Sequence, residues 1–124
     1  MHREELEMGR DYYVLGMTTK AHFLRQRTEA FPVIDGDVDE RIPSGTKALG
    51  VFASHKRAAE YLGDVTPDRV REFAEEIGEE IRDFSISYMN RQEVYATARS
   101  LGAEYIIVEQ ADGRLTLDAV LAKE

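Results

Sequence analysis

The sequence contains no cysteine and only three prolines. Without thiols there are no disulfides, zinc-thiolate centres or cysteine nucleophiles, so the fold must be held by packing alone. No apolar run approaches the roughly 20 residues that a membrane-crossing helix needs. The stretch Met1-His2-Arg3-Glu4-Glu5-Leu6-Glu7-Met8 is charged throughout and lacks the apolar centre of a secretory signal, so a cytoplasmic location is expected. Positive charge is also scarce. Sixteen Lys and Arg against 24 Asp and Glu leave a formal charge of -8, the wrong sign for a general nucleic-acid binder, which needs a basic surface to release phosphate counterions.

Catalytic signatures are missing as well. There is no G-x-S-x-G elbow, no phosphate loop, no dinucleotide fingerprint and no H-x-x-x-H pair, and the histidines are limited to His2, His22 and His55. Gly45-Thr46-Lys47 is a fragment of a phosphate loop that precedes a strand where it should follow one. Asp35-Gly36-Asp37-Val38-Asp39 spaces three carboxylates like a calcium loop, but Glu40 and Thr46 stand where that loop needs its glycine and its bidentate glutamate. A solvated acidic turn is the better reading. No catalytic residue, cofactor or metal is assigned.

What is present speaks for one globular domain over residues 1–124, with 1–9 frayed: 43% of the chain is hydrophobic and 32% charged. The organising stretch is Lys47 to Gly63, where the apolar run Ala48–Ala53 reads as a buried strand entering a helix. Ser54 stands at the N-cap position and Gly63 at the stop. His55, Lys56 and Arg57 then fill the first helical turn, where the dipole disfavours cations by ~0.3–1 kcal/mol each. Side chains bent into water explain this; so does an anionic ligand or partner shared by Ser54, His55, Lys56 and Arg57.

Around this stretch, Asp11–Met17 reads as a strand, and Phe31–Asp35 as another, with Pro32 placing it on an edge or at a strand start. Thr18–Glu29 between them reads as loop with room for a short strand around Ala21–Leu24, and Gly36–Gly45 as a wide acidic connection to the central strand. Thr66-Pro67-Asp68 opens an amphipathic helix whose stripe Val70, Phe73, Ala74, Ile77, Ile81, Phe84 carries it to residue 84 with Gly78 inside it. Ser85–Met89 alternates as a short strand. Asn90 with Glu93 forms a capping box for a helix ended by Gly102. Asp112-Gly113 then predicts a two-residue hairpin turn that sets Val108 opposite Leu117 and Ile106 opposite Ala119. The fold class is therefore α+β, a mainly antiparallel or mixed sheet with two to three helices packed on one face.

Leu49-Gly50-Val51-Phe52-Ala53-Ser54 followed by a short helix resembles SseB-like N-terminal domains, and Tyr105-Ile106-Ile107-Val108 fits their later strand. The resemblance covers about forty residues, with Gly50 in place of the family's proline and no proline-bearing end on the later strand. It implies a noncatalytic accessory or binding role and carries over no site residues. Three functional expectations follow. The first is a noncatalytic binding or interaction module of a bacterial-type soluble protein, taking a protein partner, a second copy of itself or a small anion. The second is a small enzyme acting on a phosphorylated metabolite at the helix start near His55, with His22 or Tyr12 close by. Local RNA contact through Lys20, Arg25, Arg27, Lys56 and Arg57 is a third and lesser expectation.

Overall fold

The computed structural model describes residues 2–3, 6, 9–21, 28–29, 31–32 and 45–120. The elements run β1 (His2–Arg3), β2 (Asp11–Thr19), β3 (Phe31–Pro32), β4 (Lys47–Phe52), α1 (His55–Asp64), α2 (Pro67–Ile77), β5 (Ile81–Asn90), α3 (Arg91–Ser100), β6 (Tyr105–Glu109) and β7 (Leu115–Ala119). Together the strands form one mixed sheet in the order β1-β7-β6-β4-β2-β5, with β3 paired to β4 off that path. The α+β class holds, with a mixed sheet and three helices packed against it.

Topology decides where the helices lie. Strands β4, β5 and β6 are mutually parallel, since β4 and β5 each run antiparallel to β2 and β4 runs parallel to β6. The chain crosses outward from β4 to β5 through α1 and α2, then back from β5 to β6 through α3. Two crossovers in opposite directions are both right-handed only if their helices cover opposite faces. The contacts agree. Val94, Tyr95 and Ala98 of α3 pack with Tyr12, Val14, Leu49, Val51, Ile106 and Val108, whereas α1 and α2 touch the alternate residues through His55 against Tyr13, Tyr61 against Phe52 and Phe73 against Phe84. The single-sided packing expected above thus becomes a division between two faces. β2 shows why, since it presents Tyr12 and Val14 to one side and Leu15 and Met17 to the other. The α3 side is the drier core: Val14, Val94, Ala98 and Ile106 are wholly buried, each of the larger ones contributing about 1.5–3 kcal/mol.

Local signals set several boundaries as expected. Thr66 Oγ1 accepts from the Arg69 amide at 3.2 Å, with Pro67 in the first turn. Asn90 and Glu93 close both bonds of the capping box, at 2.9 and 3.2 Å.

Other expectations are corrected. The second helix ends at Ile77, because Gly78 adopts φ +70° and its amide turns back to the last carbonyls. Ile81 and Phe84 therefore belong to β5, a ten-residue strand laddered along β2 from Asp11↔Asn90 to Thr19↔Ile81. Helix α1 passes Gly63 and stops at Asp64. The 110–114 connection is a three-residue turn: the Gly113 amide donates to Gln110 O at 2.9 Å and the Gln110 amide to Arg114 O at 2.8 Å. Only Gly113, at φ +87°, is left-handed there, the form of a type I turn closed by a glycine bulge. The extra residue slides the register by one. Ile106 now faces Asp118 and Val108 faces Thr116, while Leu117 pairs with Ile107 on the other side. At the N-terminus, which the sequence suggested was frayed, β1 pairs in parallel with β7 and Leu6 is buried.

Residues 22–27, 30 and 33–44 lie outside the described part of the chain, and with them His22, Arg25, Arg27, most of the expected strand over 31–35 and the carboxylates of the 35–39 loop. No helix among the described residues is long and apolar enough to cross a membrane.

Candidate functional site

The groove begins with a glycine in a central strand. Gly50 lies between apolar neighbours in β4, yet its backbone is open, and a Cβ built on it would meet nothing within 4 Å among the described residues. A bare position inside an otherwise packed strand marks a place where something else can approach the backbone. Around Gly50 opens a cavity of ≈ 460 Å³ on the α1/α2 side of the sheet, within the size range of small-molecule sites. Leu15, Met17, Ile107 and Leu115 form its floor. Its aromatic walls are Phe52 and Tyr61, with ring centroids 5.7 Å apart, and Phe73 against Phe84 at 6.4 Å.

Three charged residues stand in this wall, Glu29, Arg69 and Glu109. Arg69 is already committed. Its Nη1 lies 2.6 Å from Glu72 Oε2 and its guanidinium sits 4.8 Å from the centre of the Phe73 ring. The Glu72 carboxylate, with further help from Tyr61, holds its pKa above the ordinary arginine value. Glu109 is different. It ends β6 with Phe52 beside it on one neighbouring strand and Leu115 on the other. Half-buried between two apolar partners, its carboxylate has no hydrogen-bonding or ionic partner among the described residues.

The residues singled out in sequence, Ser54 to Arg57, sit at the carboxyl end of β4 beside this groove. Ser54 occupies the N-cap with extended backbone, but its side chain makes no capping bond; its carbonyl accepts from the Ala58 amide at 3.2 Å. His55 is exposed and edge-on to Tyr13, with ring centroids 5.5 Å apart. Lys56 projects into solvent. Arg57 folds over the β6–β7 turn, where Nε donates to Ala111 O at 3.2 Å and Nη2 comes within 3.1 Å of a Cβ built on Gly113. One of the three cations is therefore occupied in bracing a hairpin.

A second polar cluster, buried on the α3 side, was missed in sequence. Tyr95 donates its hydroxyl to Asp118 Oδ2 in a short hydrogen bond and accepts from the Leu6 amide at 3.4 Å. Arg91 closes the group by donating to Leu6 O at 3.0 Å, its guanidinium 5.2 Å from the Tyr95 ring centre. Burial first, and the bond to Asp118 second, push the Tyr95 hydroxyl up to about 12. Asp118 reaches this core only because of the one-residue register shift. The cluster ties Leu6, α3 and β7 together.

Gly50 was the available sequence signal for the groove, as an isolated glycine in a strand pattern. Tyr61, Phe73, Glu109 and Leu115 come from four elements that local periodicity does not relate. No three His, Asp or Glu side chains converge as metal ligands among the described residues. No family model, curated protein or solved structure matches the chain.

Proposed function

We propose that the chain is a noncatalytic binding module of a soluble, cytoplasmic, bacterial-type protein, and that it holds a small, mainly apolar ligand in the groove over Gly50. The observation that carries this reading is the groove itself: ≈ 460 Å³ of concave, aromatic-walled space floored by a glycine that nothing among the described residues covers. A protein partner or a second copy is less well supported. Tyr61 and Tyr88 are the exposed large hydrophobics among the described residues, whereas a stable protein interface wants a contiguous patch of about 800 Å² on each side. The small-anion reading at Ser54–Arg57 is weakened by the engagement of Arg57 with Ala111. The noncatalytic class also agrees with what the resemblance to SseB-like N-terminal domains implied.

The test is titration with N-phenyl-1-naphthylamine, an uncharged probe that fluoresces in apolar surroundings. The wild-type chain is expected to give saturable enhancement. Gly50→Phe fills the groove from a strand position with ordinary backbone and free space above it, so it should abolish the signal and leave the circular dichroism spectrum unchanged. Saturable binding of equal strength in Gly50→Phe would move the ligand elsewhere, and no binding to either chain would end the proposal.

A further inference from the structure

We infer that the ligand of this groove is a cation: an apolar, preferably aromatic body carrying an ammonium group, read by Glu109 and the Phe52–Tyr61 ring pair. This rests on the groove reading above and adds the chemistry of its polar end. The sheet register puts Glu109 directly beside Phe52, and the Phe52 ring lies 5.7 Å from that of Tyr61. A carboxylate that lines one groove with two aromatic rings is an arrangement that attracts a desolvated ammonium, through a charge-assisted hydrogen bond and the negative ring faces. Glu109 is also short of compensation. Phe52 and Leu115 flank it, it is half-buried, and among the described residues nothing hydrogen-bonds or ion-pairs with its carboxylate. The groove's arginine, Arg69, offsets this preference only in part, because its Nη1 is shared with Glu72 and its guanidinium lies over the Phe73 ring. An anionic ligand would have to share Arg69 with Glu72 and lie in the same groove as Glu109. The formal charge of -8 raises the local concentration of cations in the same sense.

The experiment compares three matched probes by calorimetry, 4-phenylbutylamine, 4-phenylbutan-1-ol and 4-phenylbutanoate, on the wild-type chain and on Glu109→Gln, Glu104→Gln and Gly50→Phe. The amine is expected to bind wild type about tenfold more tightly than the carboxylate, with the alcohol between them, the size expected for one charge-assisted contact. In Glu109→Gln that gap should close to within about twofold while alcohol binding stays unchanged. Glu104→Gln makes the same change of net charge on the exposed surface and should keep the gap. Equal loss of the gap in both glutamine variants would assign it to the overall field and overturn the role of Glu109. Equal affinities for all three probes, all abolished by Gly50→Phe, would overturn the cation preference and leave the groove standing. No binding of any probe, or binding untouched by Gly50→Phe, would overturn both.

Discussion

Tyr95 is a phenol placed where its proton has become part of the structure. Its hydroxyl stands between the Asp118 carboxylate and the Leu6 amide, and burial raises its pKa from 10.0 to about 12. The folded chain therefore holds this proton more tightly than the unfolded chain does. Below pH 10 the stabilisation is complete; above it the unfolded state releases the proton first, and stability falls until about pH 12. The amount at stake is on the order of 2 kcal/mol. Urea titrations across this range should show wild type losing stability more steeply than Tyr95→Phe. At neutral pH the variant should itself be about 1–3 kcal/mol less stable, because Asp118 loses its donor and the Leu6 amide its acceptor. Parallel pH profiles for the two proteins would mean the hydroxyl is solvated in the fold.

At the scale of elements, the boundary between α2 and β5 depends on one backbone conformation. Gly78 takes φ +70° with open space around it, so Gly78→Ala meets no steric neighbour and exposes the backbone cost alone, about 1 kcal/mol by thermal or urea unfolding. No change in stability would show that α2 can end in another way. The same boundary shows what the sequence made legible. Thr66 and Asn90 announced their helices because a cap satisfies amides two or three residues away, and no distant partner is needed. Phe84 was ambiguous. It continues the three-and-four spacing from Phe73 and Ile77, and it also begins the alternation Phe84, Ile86, Tyr88 that β5 uses opposite Met17, Leu15 and Tyr13. The partner strand decided between them, and it lies almost seventy residues earlier in the chain. Asp112-Gly113 misled for a related reason. Two-residue and three-residue turns share that dipeptide, and the register that separates them is settled by whether Thr116 and Asp118 can be satisfied inside, which Gln110 and Tyr95 accomplish. The sheet class and the central strand at Val51 and Phe52 were readable. The groove was not, because its walls are brought together only by the crossovers.

For the whole molecule, the excess of acid is the dominant electrostatic fact. With a formal charge of -8, self-repulsion opposes compaction, and the exposed pairs Arg69–Glu72 and Arg71–Asp68 return little against it, since such pairs are worth about 0–1 kcal/mol. Screening should relieve more repulsion than it takes from these pairs. Raising sodium chloride from about 0.01 to 0.15 M, which shortens the Debye length from about 30 to 8 Å, is therefore expected to raise the thermal midpoint by a few degrees. A midpoint that falls would give the surface pairs the larger weight.

The position of β7 between β6 and β1 sets an order on assembly. During synthesis the long β2–β5 ribbon and the β4–β6 pair can close once residue 109 is available, but the free side of β6 waits for Leu115–Ala119, and β1 has no strand to join until then. A chain cut off before Leu115 would thus hold a sheet that lacks β7 and the β1 that pairs with it, with β6 as one bare, apolar margin. That margin is a template for other copies of the chain, so truncation before β7 is expected to cost solubility.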